Sequence, residues 1–425
     1  MSSHEIGNLA ISISVLLLTV HLLGYLSEKL KQPRLIGEIL AGLLLGPFVA
    51  GKFLPHLSAL VFGASGGAVA ATPVVLNFIY WIGLFLLMFL SGSETRRLLA
   101  KENRREIGWL FSVGTIFPFL LVMLAGRASM LPLNAISGPS GNEHSSLLIL
   151  AVAVSVTSIP VISRIFIDLG IIQSRFASLV LAFAVLEDIV LWGAIAVATS
   201  GGTSSLTLTI STNLALTLAY MLAGLTVIPH FLRKVHQSRW NLLLKSSPVG
   251  YIFFILFLYI SIAAALEINL VFAAFLAGFG VVGGMGGTER VRFSPQLEAI
   301  SRVAGGLFVP LYFAVVGSKI ILGRDFSAQM LLLFLIASSA VAMISFSVAA
   351  FCAGFRGLDL LNLAITKNAR GGPGIVLASV AFDAGIINAS FYTTLVLSAV
   401  FTSQVAGFWL RLVLSRGLPL LGTAR

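Results

Sequence analysis

Two adjacent carboxylates, Glu187 and Asp188, lie near the centre of an apolar segment of membrane length. Ionised carboxylates are costly inside a bilayer, so such residues usually face a protein interior or a watery cavity and mark the path of an ion or a proton. The preceding apolar segment is interrupted near its middle by residues that favour a helix break, namely Ser155, Thr157, Ser158 and Pro160. A broken helix at membrane depth frees backbone carbonyls, which is tolerated where they line a cavity. The pattern is therefore suited to binding a small cation and a proton.

The composition indicates a polytopic membrane protein. Of the 425 residues, 58% are hydrophobic and 10% are charged, whereas about 25% of the residues of a soluble domain are charged. The net charge of +11 would suit a nucleic-acid partner, but the excess of Lys and Arg in cytoplasmic loops of membrane proteins accounts for it. We therefore predict an all-α chain in the lipid bilayer. Residues 1–425 would form one transmembrane domain, with no soluble regulatory domain and no nucleic-acid partner.

Enzyme and cofactor chemistry find no support in the sequence. Its single cysteine, Cys352, excludes a disulfide within the chain and a cysteine metal site. The histidines lack the spacing of a metal site, and the absence of a glycine-rich nucleotide-binding loop leaves ATP-driven pumping unsupported. We predict that the protein is not an enzyme and needs no cofactor.

Apolar segments predict thirteen transmembrane helices, because one spanning helix needs about 20 mostly apolar residues. The second and ninth are short enough to be partly re-entrant. The predicted spans cover approximately residues 8–26, 35–51, 74–92, 107–126, 146–168, 175–199, 206–229, 247–266, 268–284, 298–318, 327–352, 359–383 and 390–414.

The distribution of basic residues predicts the orientation of these helices. With the N-terminus outside, the inside loops hold 21 of the 27 Lys and Arg residues. The outside loops hold four, and Lys367 and Arg370 lie within the twelfth span. This asymmetry places the C-terminus in the cytoplasm. The compact chain favours a bacterial inner membrane.

The sequence also contains an internal repeat. The fifth span reaches Pro160 thirteen residues after Leu147, and the twelfth reaches Pro373 thirteen residues after Leu360; both end in Asp-x-Gly-Ile-Ile. The matching spans are seven apart, so the repeats, at about 34–199 and 269–414, insert with opposite orientation. Inverted repeats with paired broken helices are typical of secondary transporters. The alignment places Ser403 and Gln404 opposite the two carboxylates, so the acidic pair occurs in one repeat only.

Three stretches resemble the monovalent cation:proton antiporters, in the branch with bacterial potassium-efflux and sodium/proton antiporters and plant cation/proton exchangers. They are PRLIGEILAGLLLGP at 33–47, LEDI at 186–189 and NARGG at 368–372. The resemblance covers nearly the whole chain. It implies two inverted five-helix repeats with crossed broken helices, a core of about 107–199 and 327–414, and a homodimer.

The resemblance assigns the role of essential cation- and proton-binding residue to Asp188. The position of Glu187 is usually Asp or Asn in the family, and this departure leaves the stoichiometry open. Thr157 and Ser158 are candidate oxygen ligands, so Asp188 and Thr157 are the predicted metal-ion ligands for an alkali cation. The alternative for these hydroxyls is a hydrogen bond to their own helix backbone. Ser155 is a weaker candidate of the same kind.

Three charged residues are candidates for supporting or gating roles. Arg370 either compensates the carbonyl ends of the broken twelfth helix or pairs with an acid in the core. Lys367 either acts in the site or extends its amine towards the membrane surface. Glu38 matches the family motif, and we favour a role in holding helices together. Some sodium exchangers have a lysine in the helix before the second broken one, but residues 327–352 contain no Lys or Arg.

The function that these patterns favour is secondary active exchange of Na⁺ or K⁺ for H⁺ by alternating access, with Asp188 carrying the proton in one phase and the cation in the other. Two alternatives remain open. One is a gated K⁺ efflux system or channel. The other is a carrier of an organic anion coupled to H⁺ or Na⁺, for which Arg370 would suit a substrate carboxylate.

Overall fold

The computed structural model describes residues 2–30, 32–63, 71–98, 104–200, 207–238, 240–285, 287–323 and 326–422. Within them the chain is almost entirely helical, which confirms the predicted all-α class. Some basic residues counted for the orientation lie outside the described residues, namely Lys31, Lys101, Arg239, Arg324 and Arg425.

The described α-helices are numbered here in chain order. They are α1 (Ser3–Lys29), α2 (Arg34–Leu45), α3 (Ala50–Phe53), α4 (Pro55–Phe62), α5 (Ala71–Leu98), α6 (Arg104–Phe111), α7 (Phe117–Arg127), α8 (Glu143–Ser155), α9 (Ile159–Asp168), α10 (Arg175–Ser200), α11 (Thr207–Leu222), α12 (Ile228–Gln237), α13 (Leu242–Ser246), α14 (Pro248–Ala265), α15 (Leu270–Gly283), α16 (Gly287–Val303), α17 (Val309–Ser318), α18 (Ala328–Ala353), α19 (Leu358–Lys367), α20 (Gly371–Asp383) and α21 (Ala389–Ser415).

The chain divides into two compact units. The first unit comprises residues 1–93, 222–265 and 270–325, and the second comprises 94–221, 266–269 and 326–425. Both carboxylates and both broken helices belong to the second unit. The core of the first unit includes Leu16, Ala41 and Leu311, which bury the apolar faces of α1, α2 and α17 against one another.

Ten helical segments of the described chain are long and apolar enough to cross a membrane, and α8 and α15 are shorter apolar helices. The seventh predicted span, 206–229, falls on α11, a π-helical turn and the first residues of α12, a continuous helix that ends at Gln237. The tenth, 298–318, lies within the apolar segment Phe293–Ser318. Both helices are longer than the apolar runs that defined the predictions. The number of membrane crossings stays a prediction.

In the described chain, three π-helical turns each end two residues before a proline. These turns are Ser112–Ile116, Ala223–Val227 and Ala304–Phe308, and the residues two positions after them are Pro118, Pro229 and Pro310. Proline lacks an N–H and its ring clashes with the carbonyl four residues earlier. A wider turn relieves that clash while the helix continues. Pro118, Pro229 and Pro310 are thereby accommodated within candidate membrane spans.

Gly42 and Gly46 have the Gly-x-x-x-Gly spacing of closely packed helices, and Gly42 lies at such a contact in the first unit. A Cβ at Gly42 would lie 1.7 Å from the backbone oxygen of Ala314 on α17. Only a hydrogen fits in that space, so glycine allows the two helix backbones to approach.

The fifth and twelfth predicted spans are each broken, as expected. Between α8 and α9 the backbone is extended at Val156 and Ser158. Pro160 explains this break, since its ring is incompatible with a helical carbonyl at Val156. Between α19 and α20, Gly371 has a φ of +33°, which is tolerated in the absence of a Cβ.

Candidate functional site

The two helix breaks lie side by side in the second unit. The Ser158 N–H donates to the Ala369 carbonyl at 2.8 Å. The Thr157 hydroxyl donates to the Lys367 carbonyl, also at 2.8 Å. Residues at each break therefore form hydrogen bonds with backbone groups that the other break leaves without a helical partner. Inside a bilayer, backbone groups must find such partners within the protein. Thr157 and Ser158 are both fully buried.

Glu187 is fully buried, and its carboxylate meets polar side chains from other parts of the second unit. Its Oε2 accepts a hydrogen bond from Thr115 at 3.0 Å, and its Oε1 lies 3.5 Å from the Lys367 ammonium. Lys367 also donates to the carbonyl of Ser155 at the end of α8. The ammonium thus neutralises Glu187 and occupies a carbonyl freed by the helix break. A buried charge needs such partners to offset its lost hydration.

Asp188 has a different environment although it is the next residue on α10. Its side chain is 1% exposed, and within the described residues neither carboxylate oxygen has a hydrogen-bond partner. Consecutive helical residues point about 100° apart, so Asp188 does not share the direction in which Glu187 meets its partners. A buried carboxylate without a partner requires a proton or a cation to be stable. Asp188 is thus the carboxylate of the pair without a hydrogen-bond partner from the described chain.

The start of α20 is fixed by hydroxyls from α21. The Gly371 N–H donates to Ser403 at 3.1 Å, and the Arg370 N–H donates to Thr402 at 3.4 Å. These hydroxyls satisfy amide groups that every helix start leaves without an internal partner. Ser403 is the residue that the predicted repeat aligns with Glu187, and here its hydroxyl serves as a backbone cap where the other half has a carboxylate.

Arg370 is 2% exposed but contacts neither carboxylate in the described part of the chain. Its Nη2 donates to the Asn368 side chain at 3.3 Å, and its guanidinium lies 5.3 Å from the centre of the Phe334 ring. Its Nε and Nη1 have no hydrogen-bond partner among the described residues. The predicted pairing of Arg370 with an acid is therefore not seen.

The structure joins four of the predicted residues through hydrogen bonds, namely Glu187, Lys367, Ser155 and Thr157. The side chain of Ser158 instead accepts from the N–H of Val161 and caps α9. Lys367 is fully buried and does not extend to a surface. Glu38 lies in the first unit, where it pairs with Arg34 at 3.2 Å.

Sequence reasoning missed Thr115, which is fully buried and hydrogen-bonded to Glu187. The signal available was a threonine in the middle of an apolar span, three residues before Pro118. The π-helical turn that contains Thr115 is the local consequence of that proline, and such turns often occur at functional sites.

The site offers oxygen ligands from carboxyl, hydroxyl and carbonyl groups, which suit hard cations. Within the described chain no three His, Cys, Asp or Glu side chains cluster as a transition-metal site would require. The chemistry available at Asp188 is therefore the binding of a proton or of a cation with a preference for oxygen.

Known proteins resemble this chain along most of its length. The family model described as sodium/hydrogen exchanger, transmembrane, matches residues 15–416. Cation/H⁺ antiporter 17 of Arabidopsis thaliana is 27% identical over 410 residues, covering 94% of this chain and 47% of the relative. The Na⁺/H⁺-K⁺ antiporter GerN of Bacillus cereus is 24% identical over 404 residues, covering 92% and 93%. The chain thus spans about half the length of its plant relatives.

The fold is also found in a solved structure. The sodium proton antiporter MjNhaP1 from Methanocaldococcus jannaschii matches with a TM-score of 0.63 at 15% identity, covering 96% of this chain and 97% of that one. This likeness confirms the predicted antiporter-like fold.

Proposed function

Because the chain belongs to the sodium/hydrogen exchanger family, we propose that this multi-pass membrane protein exchanges Na⁺ or K⁺ for H⁺ by alternating access. The observation that carries the proposal is the buried carboxylate of Asp188, which has no hydrogen-bond partner within the described residues. One carboxylate that binds either a proton or a cation, but not both, couples the two fluxes. The names of its relatives as cation/H⁺ and Na⁺/H⁺-K⁺ antiporters support the proposal.

The ion pair between Glu187 and Lys367 explains why Asp188, and not Glu187, would exchange its ligand. Glu187 is already neutralised by Lys367 and hydrogen-bonded to Thr115. A cation arriving at Glu187 would compete with an ammonium that the protein holds in place. At Asp188 it would meet a carboxylate without a competing cation from the described chain.

The unwound backbone supplies further oxygen ligands in this proposal. Thr157 donates its hydroxyl proton to the Lys367 carbonyl, so the lone pairs of its oxygen stay available to a cation. The Ser155 hydroxyl is buried without a hydrogen-bond partner among described residues. Together with Asp188, these oxygens would replace part of the hydration shell that an alkali cation loses. Ser158 would contribute through the backbone of the break, since its side chain caps α9.

The distribution of basic residues supports an orientation in the membrane. We place the N-terminus outside and the C-terminus in the cytoplasm, because 21 of 27 basic residues then lie in inside loops. A bacterial inner membrane completes the proposal, supported by the bacterial relative that matches over 93% of its length. The homodimer rests on the family resemblance alone.

The test is cation-dependent proton flux in proteoliposomes across Li⁺, Na⁺, K⁺ and Rb⁺, for wild type and Asp188→Asn. The substitution keeps the shape of the side chain but removes the exchangeable charge, so we expect flux to fall to that of empty vesicles. Glu143→Gln is the matched control, because Glu143 is an exposed carboxylate at the start of α8 and its loss should leave flux unchanged. Wild-type flux in Asp188→Asn would refute the mechanism.

A carrier of an organic anion is the second candidate, favoured by the two buried Arg370 nitrogens that have no hydrogen-bond partner in the described chain. Such a carrier would lose substrate binding in Arg370→Lys, because lysine cannot provide a planar pair of donors. Cation-dependent proton flux that persists in Arg370→Lys without any organic anion present would exclude this candidate.

A further inference from the structure

An apolar groove runs between α7, α8 and α18 of the second unit. It has a volume of about 320 Å³ and is lined by residues such as Val122, Leu150, Phe334 and Ala337, a size within the roughly 300–1,000 Å³ of ligand pockets. The one hydroxyl in its lining, on Ser338, donates to a backbone carbonyl of its own helix. The side chains of the groove therefore suit an apolar occupant without hydrogen-bonding groups.

The side walls of the groove belong to helices that can span a membrane. Leu121 lies in the candidate span Arg105–Arg127, and Leu333 lies in Ala328–Ala353. These two leucines line the groove and are 40% and 65% exposed. In a bilayer such side chains meet lipid hydrocarbon, so the groove is accessible to an acyl chain from the membrane.

A positive charge lies at the end of α7, which forms one wall of the groove. Arg127 is the last residue of α7 and is exposed, two positions after Ala125 in the groove wall. It is the only Lys or Arg between Arg105 and Arg164 in the sequence, and none occurs in α18. A basic residue next to the bilayer surface attracts anionic lipid headgroups.

We propose that this groove binds one acyl chain of an anionic phospholipid, whose phosphate contacts Arg127. The acyl chain matches the apolar lining and the opening towards hydrocarbon, and the phosphate matches the charge of Arg127 at the end of α7. The lipid would be a bound component of the second unit.

The groove shares residues with the supports of the ion site. Val154 lines the groove, and the carbonyl of the next residue, Ser155, accepts from Lys367. Phe334 also lines the groove and stacks against Arg370. A bound acyl chain would therefore restrict the movement of α8 and α18, whose residues support the ion site. This consequence for exchange, unlike the binding itself, rests on the proposed function.

The binding test is native mass spectrometry of the purified protein titrated with phosphatidylglycerol or phosphatidylcholine. We expect one phosphatidylglycerol to be retained in preference to phosphatidylcholine. Arg127→Gln should weaken retention about fivefold, the factor that corresponds to about 1 kcal/mol for one basic residue near an anionic surface. Ala337→Phe should abolish retention by filling the groove. Ala340→Phe, on the same helix but outside the lining, should retain lipid like wild type.

Equal retention by Ala337→Phe and Ala340→Phe, or no preference for phosphatidylglycerol that depends on Arg127, would overturn the proposal. An Ala337→Cys variant in a Cys352→Ser background gives a second readout. Disulfide-linked dimers of this variant in membranes would assign the groove to a second copy of the chain and also overturn it. Lipid retention is measured without ion flux, so its failure leaves the proposed exchange untouched, and the failure of exchange leaves the lipid site untouched.

Discussion

Replacing Lys367 with methionine should destabilise the protein much more than the loss of an ordinary ion pair. The side chains of Lys367 and Glu187 are 0% and 1% exposed. The substitution keeps most of the aliphatic volume but leaves the Glu187 carboxylate with hydroxyl groups, those of Thr115 and Thr157, as its partners among the described residues. It also removes the donor to the Ser155 carbonyl. Removing one partner of a buried pair costs about 3–5 kcal/mol.

A surface pair in the same unit provides the control. Arg175 lies 2.8 Å from Glu106, closer than the buried pair, but these side chains are 45% and 20% exposed. Water replaces a lost partner at such a site, so Arg175→Met should cost less than about 1 kcal/mol. We expect burial, and not the distance between the charges, to decide how much stability each substitution costs.

A double variant, Glu187→Gln with Lys367→Met, separates the charge effect from lost packing. The glutamine can still accept from Thr115, so the Ser155 carbonyl is the main group left without its donor, at a cost of about 1–3 kcal/mol. The double variant should therefore be more stable than Lys367→Met alone. The two substitutions contact each other, so their effects should not add.

The measurement is the free energy of unfolding in mixed micelles, obtained by titration with SDS. It compares wild type, Lys367→Met, Arg175→Met and the double variant Glu187→Gln with Lys367→Met. The reasoning is refuted if Lys367→Met costs no more than Arg175→Met. It is refuted equally if the double variant is as unstable as Lys367→Met, because the buried carboxylate would then not be the source of the cost.

Two further substitutions test the packing around the site and in the first unit. Thr115→Val should cost about 1.5–3 kcal/mol in the same titration, because it removes a hydrogen bond to a charged group; a Thr115→Ser variant with the same loss would contradict this. Gly42→Ala should cost at least about 1–3 kcal/mol, since its Cβ would lie 1.7 Å from the Ala314 oxygen. Gly108→Ala, where a Cβ meets nothing within 4 Å, should instead stabilise its helix by about 0.5–1 kcal/mol, and equal effects of the two glycine substitutions would refute the packing argument.

Much of the fold could be predicted because each signal was local in the sequence. A membrane-length apolar run specifies a helix, since no other open structure satisfies backbone groups in lipid. Pro160 and Pro373 predicted the two breaks for the same local reason, the missing N–H and the clash of the ring. Apolar runs do not mark the ends of helices that continue into polar sequence, as α12 and α16 do.

The partners within the site could not be predicted, because they come from distant parts of the chain. Lys367 follows Glu187 by 180 residues, and Thr115 precedes it by 72. The helix before the second broken one, at 327–352, contains no lysine, whereas the buried Lys367 comes from the broken helix itself. The residue pattern within one helix does not show which side chains of another helix that helix will contact.

The sequence by itself determined that this chain is helical, membrane-embedded and provided with two adjacent acids beside a broken helix, since apolar length, proline position and residue type are all local properties. Only the tertiary structure decided that Glu187 has a buried ammonium as its partner, whereas Asp188 has no hydrogen-bond partner within the described residues. The reason is directional: neighbouring positions on one helix point about 100° apart, so two adjacent carboxylates meet different surroundings that only the packing of other helices supplies.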